Sequence, residues 1–237
     1  MGKSKDLATG AAYQDQTESD TRYVNASGDT MTGNLQSTEL VANNAGNNTN
    51  IRIQNTASGS GSSDGFVIQN ATNSKVYLWN YENSDVLFGT NSTERLKIDA
   101  SGYVTKPNQP MFNAYMTTDP GYNASSWVIM ICNATRFNVG NHYNTSTGKF
   151  TAPVSGKYWF GVTNNMNSSN GAVASWRAMI NNSDGIIASY KNSTDSWDNL
   201  STSLIYNLSA NDTFAWYCRG DPDYGADWMN IYGYLIG

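Results

Sequence analysis

Side chains over roughly the last 130 residues of this chain alternate between apolar and polar with a period of two. Neighbouring side chains of a strand point to opposite faces, so this period predicts strands with one buried face. Six or more such strands within residues 107–237 predict a two-sheet sandwich or jelly roll. The alternating residues are Phe112/Ala114/Met116, Phe150/Ala152/Val154, Tyr158/Phe160/Val162, Trp176/Ala178/Ile180, Phe214/Trp216/Cys218, and Ile231/Gly233/Leu235 against Tyr232/Tyr234/Ile236. Of these, Phe150, Ala152 and Val154 are expected to face inward.

The composition favours an all-β chain. Charged residues make up 14%, against roughly 25% in ordinary soluble domains, and residues that favour turns, including 21 Gly, take their place. A net charge of −5 argues against nucleic acid as a partner, because phosphate binding needs clustered Lys and Arg. The longest apolar run, Trp127–Cys132, is too short to cross a bilayer. We therefore expect no membrane insertion. We also expect no export, because the first residues lack the apolar segment of a signal peptide.

Residues 46–106 carry short apolar runs separated by Gly, Asn and Ser, which predicts a small β-rich module. These runs are Ile51–Ile53, Phe66–Ile68, Val76–Trp79, Val86–Phe88 and Leu96–Ile98. The module has too few large apolar side chains for an independent core, so we expect other copies of the chain to pack against it. Residues 1–45 are poorer still in apolar side chains, and we expect a partner to order them.

Two stretches resemble the central part of the C1q-like domain. They are Phe-Asn-Val-Gly-Asn-His-Tyr-Asn at 137–144 and Thr-Gly-Lys-Phe-Thr-Ala-Pro-Val-Ser-Gly-Lys-Tyr-Trp-Phe at 147–160. The first strand, Met111–Ala114, the segment Leu208–Asp212 and the closing strand, Ile231–Ile236, also resemble that family in the same order. The resemblance covers 107–237 and implies a tumour-necrosis-factor-like jelly roll that forms a homotrimer. Aromatic side chains expected between protomers are Tyr158, Phe160, Trp216, Tyr232 and Tyr234.

The first half resembles bacteriophage tail-fibre proteins. Gly-Asp-Thr-Met-Thr-Gly at 28–33 resembles a motif that recurs in those proteins, residues 87–104 resemble their repeated β-module, and residues 1–20 resemble their N-terminal anchor. The resemblance implies a virion-anchoring segment at 1–45, a fibre module at 46–106 and a C1q-like knob at 107–237. Residues 1–24 would dock on other tail or baseplate proteins after assembly in the bacterial cytoplasm.

This order of segments predicts a non-enzymatic virion fibre protein that attaches a phage to a glycan or protein on the host surface. One alternative is a capsid or neck decoration fibre with a structural role. A second alternative is a polysaccharide depolymerase, although the sequence shows no nucleophile with a base and no metal cluster. The single histidine, His142, is expected to be a hydrogen-bonded structural residue rather than a catalytic one.

Two polar segments of the knob are candidate binding sites. Acidic residues alternate around a glycine in 221–228, so Asp221, Asp223 and Asp227 could hold calcium, which prefers several carboxylate oxygens from a tight turn. The alternative is a solvated acidic hairpin between the last two strands. Tyr190 and Trp197 lie in the polar segment 189–199, where aromatic rings can stack on sugars. Tyr190, Trp197, Asp223 and Tyr224 are therefore the candidate receptor-binding residues, with packing of Trp197 on the sandwich or between protomers as the alternative.

The two cysteines, Cys132 and Cys218, lie in apolar and aromatic surroundings far apart in the sequence. A reduced thiol in such surroundings behaves as a small hydrophobic side chain. Buried thiols are therefore favoured over a disulfide between them.

Overall fold

The computed structural model describes residues 48–118, 124–166, 173–183, 185–192, 198–220 and 228–237. Within these ranges the chain has strands, turns and loops but no helix, which confirms the all-β prediction. The strands are β1 (Thr49–Ile53), β2 (Phe66–Asn70), β3 (Val76–Asn80), β4 (Val86–Thr90), β5 (Thr93–Ile98), β6 (Val104–Thr105), β7 (Met111–Tyr115), β8 (Ala124–Ile129), β9 (Ala134–Val139), β10 (Tyr143–Asn144), β11 (Lys149–Thr151), β12 (Gly156–Met166), β13 (Val173–Ile180), β14 (Ile187–Asn192), β15 (Asp198–Asn199), β16 (Thr202–Leu208), β17 (Thr213–Gly220) and β18 (Met229–Leu235).

The described residues divide into two compact units between Glu82 and Asn83. The first unit holds the antiparallel sheet β1-β2-β3. Among its described residues, Val67 is the single buried hydrophobic side chain. The second unit holds the remaining strands, beginning with a second three-stranded sheet, β4-β5-β6. The domain boundaries at 45/46 and 106/107 stay a prediction.

Two further sheets of the second unit pack face to face as a C1q/TNF-like jelly roll. The front sheet has the order β15-β12-β18-β7-β9, with β16 also paired to β12. The back sheet has the order β10-β11-β17-β13-β14, with β8 also paired to β17. The last strand, β18, lies between β12 and the first strand of the sandwich, β7. The last strand of the chain therefore lies in the interior of the front sheet, beside the first strand of the sandwich.

Aromatic side chains from both sheets fill the space between them. Phe160 on β12 and Phe214 on β17 stack almost parallel, with ring centroids 3.7 Å apart. Phe150 meets Phe160 edge-on at 5.5 Å. All three rings are buried, as are Phe112 and Trp176. The period-two pattern therefore identified the core correctly for most strands, because each strand has only one face turned toward the opposite sheet.

Two expectations about these strands are wrong. Val154 is 47% exposed, because β11 ends at Thr151 and the following turn carries Val154 out of the alternation. Tyr158, Phe160 and Trp216 are buried within one chain and therefore cannot lie between protomers. These three rings fill the space between the two sheets, whereas the other two members of that set, Tyr232 and Tyr234 of β18, lie on the outer face of the front sheet.

The two cysteines are buried free thiols, as the sequence predicts. Burial raises the pKa of the Cys132 thiol to about 12 because the interior disfavours the thiolate. The backbone N–H of Cys132 donates to the Tyr143 hydroxyl at 3.1 Å, and that hydroxyl donates to the Cys132 carbonyl at 3.2 Å. The Tyr143 hydroxyl thus forms hydrogen bonds with both the backbone N–H and the backbone carbonyl of the buried Cys132. Its ring stacks on Phe112, with the ring centroids 4.8 Å apart.

The turn between β10 and β11 depends on a glycine. Gly148 has φ +70°, and its N–H donates to the Asn144 carbonyl at 2.9 Å. A Cβ atom at this position would lie 2.4 Å from the Met130 carbonyl oxygen. Both the positive φ and the close backbone approach require glycine at this position. This requirement explains Gly148 in the stretch that resembles the C1q-like family.

Candidate functional site

Aromatic rings cluster on the outer face of the front sheet. Trp159 of β12 and Tyr234 of β18 are directly opposite across the strand pair, with ring centroids 5.4 Å apart. Tyr232 lies 5.1 Å from Trp159 on the same face. Ile205, which pairs with Trp159 from β16, is 61% exposed. We call Trp159, Tyr232, Tyr234 and Ile205 the outer aromatic face.

A glycine makes room for one of these rings. Gly161 is directly opposite Tyr232, and a Cβ atom on Gly161 would lie 2.2 Å from the Tyr232 ring. The tyrosine ring therefore lies flat across β12 instead of standing away from the sheet. Lying flat, Tyr232 is partly covered while Tyr234 is 44% exposed. The result is a broad, low surface of rings with polar hydroxyl groups, the kind of surface that recognises another protein.

The outer aromatic face continues toward the strand at the other edge of the front sheet. Asn113 of β7 pairs with Tyr232 on one side and with Phe137 of β9 on the other. Phe137 is 47% exposed. On the same two strands, the Arg136 guanidinium lies 4.5 Å from the centre of the Tyr115 ring. Apolar and aromatic side chains thus lie on the outer face of β16, β12, β18 and β9, and the polar Asn113 of β7 separates Tyr232 from Phe137.

The second unit also has an open cleft of about 450 Å³. Its lining brings Arg95 and Lys106 near His142. The Asn108 amide of the lining donates to the Glu94 carbonyl at 2.8 Å, and the Gln109 amide donates to the Leu235 carbonyl. These bonds tie the segment before β7 to β5 and to β18.

His142 has a packing role in the turn before β10. Its ring fills the space beside Gly140, where a Cβ atom would lie 2.3 Å from Nε2, and it meets Phe150 edge-on at 6.3 Å. Its backbone carbonyl accepts from the Thr151 N–H at 2.8 Å. Desolvation lowers the pKa of His142, which favours the neutral ring. Such contacts are those of a structural residue.

The predicted receptor and calcium residues fall outside the part of the chain that the structure describes. Trp197, Asp221, Asp223, Tyr224 and Asp227 lie outside the described residues. The backbone of Tyr190 is part of β14, but its side chain is likewise outside the description. Both sites therefore stay predictions. Across the side chains that the structure does describe, no group of three or more His, Cys, Asp or Glu could hold a metal ion.

No helix among the described residues is long and apolar enough to cross a membrane.

The functional residues that the sequence reasoning missed are Trp159 and Ile205. Each lies next to inward-facing residues of its own strand, so the period-two pattern predicts that its side chain faces the solvent. The available signal was their size and apolarity at positions where a polar residue is expected.

Comparison with known proteins finds a family model that matches part of the sandwich. Residues 111–221 match the family model of the C1q domain. The C1q-like match spans β7 to β17 and so includes most of the sandwich. C1q-like domains are generally non-enzymatic binding modules that commonly form homotrimers. None of the curated proteins searched matches the chain.

Several solved structures are similar to this chain. The globular domain of zebrafish complement 1qA protein has 14% identity and a TM-score of 0.45, and the match covers 54% of this chain and 98% of that one. Murine APRIL at pH 8.5 has 4% identity and a TM-score of 0.43, with 54% and 99% covered. Murine APRIL at pH 5.0 has 5% identity and a TM-score of 0.44, again with 54% and 99% covered.

Proposed function

We propose that this chain is a non-enzymatic phage fibre protein whose C1q-like knob forms a homotrimer and attaches the virion to the host surface. The observation that carries the proposal is the outer aromatic face. Trp159, Tyr232 and Tyr234 lie on one face of a sheet whose other face is already fully packed. A sheet with a second, unpartnered aromatic face suits assembly with other copies, as is common for C1q-like domains.

The segments before the knob support a fibre rather than a free binding protein. Gly-Asp-Thr-Met-Thr-Gly at 28–33 resembles a phage tail-fibre motif, and residues 87–104, which include β5 and overlap β4 and β6, resemble a fibre module. Attachment through three knobs gains strength from multivalency, because a second contact forms at high effective concentration after the first. Adhesion of this kind needs no catalytic step.

The first test concerns the trimer, and we expect the full-length chain to sediment as a homotrimer. Replacing Tyr234 by Arg places a cation among the rings of the outer aromatic face. Three cations would then meet in one apolar interface, which is strongly unfavourable without a counter-charge. At micromolar concentration we expect Tyr234→Arg to sediment mostly as monomer, as measured by sedimentation velocity.

The control for this substitution is Tyr103→Arg, which introduces the same charge at a tyrosine that is 71% exposed in the β5–β6 turn. It should remain a trimer. Circular dichroism of both variants should show the same β-sheet signal, because neither side chain belongs to the sandwich core. A wild-type chain that is a folded monomer would refute the proposed trimer.

The second test concerns adhesion, and it uses the predicted receptor residues. We expect Trp197→Ala and Tyr224→Ala to reduce adsorption of the trimer to host cells at least tenfold, without changing its sedimentation or thermal unfolding. A tenfold loss corresponds to about 1.4 kcal/mol, a modest value for one aromatic anchor. Normal adsorption by both variants would place the receptor site elsewhere. Release of reducing ends from host polysaccharide by the wild-type trimer would instead indicate a depolymerase.

A further inference from the structure

Three aromatic side chains follow one another along the edge strand of the sheet in the first unit. Tyr77 and Trp79 belong to β3, and Tyr81 follows the last residue of that strand. Residues two apart in an extended strand share a face, so the three rings lie in a row. The ring centroids of Tyr77 and Trp79 are 6.4 Å apart, and those of Trp79 and Tyr81 are 6.2 Å apart. We call Tyr77, Trp79 and Tyr81 the aromatic row.

The aromatic row is exposed although this unit has few apolar side chains to bury. Trp79 is 52% exposed and Tyr81 is 43% exposed. Among the described residues of the unit, the buried hydrophobic side chain is Val67, which is directly opposite Trp79 on β2. Single exposed apolar side chains are ordinary, but a contiguous exposed group of aromatic rings marks an interaction surface. The row is therefore a candidate binding site outside the knob.

Contacts with the rest of the sheet fix one end of the aromatic row. The Arg52 guanidinium lies 5.4 Å from the centre of the Tyr81 ring and donates to the Asp64 carbonyl at 3.0 Å. The Tyr81 N–H donates to the Gly65 carbonyl at 3.1 Å, and the Glu82 carboxylate accepts from the Gly65 N–H at 2.8 Å. A surface whose side chains are already held in place loses less conformational entropy when a ligand binds.

A hydrogen-bonded pair of amides lies beside the other end of the aromatic row. Gln69 is directly opposite Tyr77 on β2, and Asn50 is directly opposite Gln69 on β1. The Gln69 amide donates to the Asn50 side-chain oxygen at 2.7 Å. As far as the described residues go, this bond leaves the Gln69 side-chain oxygen and the Asn50 amide group for a ligand. Aromatic rings beside an acceptor and a donor match a ligand that has both C–H faces and hydroxyl groups.

The charge on this face favours an uncharged ligand. Arg52 is the one charged side chain at the strand positions of the face, and its guanidinium is engaged by the Asp64 carbonyl and the Tyr81 ring. The ring planes of Tyr77 and Trp79 are inclined by 72°, and those of Trp79 and Tyr81 by 59°. Because the rings are not coplanar, they suit a single twisted chain rather than a flat crystalline surface.

We propose that the aromatic row binds an uncharged polysaccharide chain, with successive rings of the row contacting successive sugar units. The C–H face of a sugar packs on each ring, and hydroxyl groups of the sugar nearest Tyr77 bond to Gln69 and Asn50. Each stacking contact is weak, so a chain that contacts all three rings gains from their number. This inference goes beyond the proposed function, because the row belongs to the first unit and acts in a monomer or a trimer alike.

Affinity electrophoresis of the full-length chain tests this inference. Each native gel contains one soluble neutral polysaccharide, which is dextran, laminarin, mannan or galactomannan, and retardation relative to a plain gel gives the dissociation constant. We expect at least one of these gels to retard the wild-type chain. In that gel Trp79→Ala should bind about tenfold more weakly, because it removes the central ring of the row. Tyr77→Ala should bind about threefold more weakly, because it removes a terminal ring.

The matched control is Leu78→Ala, which truncates the neighbouring side chain of β3 on the opposite face, where Leu78 is 56% exposed. It should keep the retardation of the wild type. Trp79→Phe keeps a ring at the centre of the row and should recover most of the affinity that Trp79→Ala loses. Circular dichroism of every variant should match that of the wild type, because none of these side chains is buried.

The charge and the chemical class of the ligand are tested in the same gels. Retardation that stays the same from low to high salt supports an uncharged ligand, because salt screens charge attraction. Retardation by polygalacturonate alone, lost in high salt, would overturn the proposal in favour of an acidic glycan. Retardation by polyproline alone would overturn it in favour of a proline-rich peptide.

Two further results would overturn the proposal outright. One is a wild-type chain that none of the neutral gels retards. The other is a Trp79→Ala variant that is retarded as strongly as the wild type, because the sugar would then bind elsewhere. Neither result affects the sedimentation and adsorption tests of the proposed function, which concern residues of the knob. A folded wild-type monomer that the neutral gels retard through Trp79 would refute the trimer and support the aromatic row.

Discussion

Replacing Phe160 by Ala should lower the free energy of unfolding of the knob by about 4 kcal/mol. Phe160 is fully buried, stacks on Phe214 at 3.7 Å and contacts the rings of Phe150, Tyr158 and Phe112. Truncation removes a ring that contacts aromatic side chains of both sheets. The surrounding rings belong to strands of fixed register, so they cannot move together to fill the cavity. Urea unfolding at fixed protein concentration measures the loss.

Two further variants show whether the cavity is the cause. Phe160→Leu keeps most of the apolar volume but removes the ring stacking, and should cost about 1.5 kcal/mol. Tyr103→Ala removes an aromatic ring that is 71% exposed and should cost less than about 0.5 kcal/mol. Equal losses for Phe160→Ala and Phe160→Leu would show that the cavity is not the cause of the destabilisation.

Replacing Gly148 by Ala should cost about 3 kcal/mol, although it adds a single methyl group. One part, about 1 kcal/mol, is the strain of a positive φ with a side chain. The larger part, about 2 kcal/mol, comes from overpacking, because the new Cβ would lie 2.4 Å from the Met130 carbonyl oxygen. Met130 follows the last residue of β8, which pairs with β17, and its N–H donates to the Trp216 carbonyl. The Met130 carbonyl oxygen therefore cannot move away freely. Thermal and urea unfolding both measure the effect.

Gly102 supplies the matched control for this substitution. It has φ +88°, yet a Cβ atom there would meet nothing within 4 Å. Gly102→Ala therefore carries the conformational strain without the clash and should cost about 1 kcal/mol. The difference between the two variants isolates the close approach to Met130. Equal losses at Gly102 and Gly148 would mean that the turn relaxes and that the clash does not matter.

The sequence was sufficient for the parts of the fold that one strand reveals by itself. Phe112 and Ala114, or Trp176 and Ala178, alternate with less buried neighbours, so the burial of one face shows directly in the sequence. Strands β9 and β16 were not predicted. Their outward positions include Phe137 and Ile205, which are large and apolar, so the contrast between the two faces is weak.

The outer aromatic face could not be predicted because it depends on register between distant segments. Trp159 and Tyr234 meet only because β18 pairs with β12 in one particular alignment, and the flat position of Tyr232 depends on the missing side chain of Gly161. Alternation within a strand contains no information about which residue lies opposite on another strand.

The central position of β18 also fixes the order of events during synthesis. Met111 of β7 pairs with Tyr234, about 120 residues later, so the ribosome must make both neighbours of β18 long before β18 itself. Until then β7 and β12 have unpaired edges that can join the wrong strand of a nearby nascent chain. Because Tyr232 and Tyr234 lie on β18, the outer aromatic face is complete only after the front sheet has closed. A chain can therefore present this surface to its partners in the proposed trimer only once it has folded, which would keep unfinished chains out of that assembly.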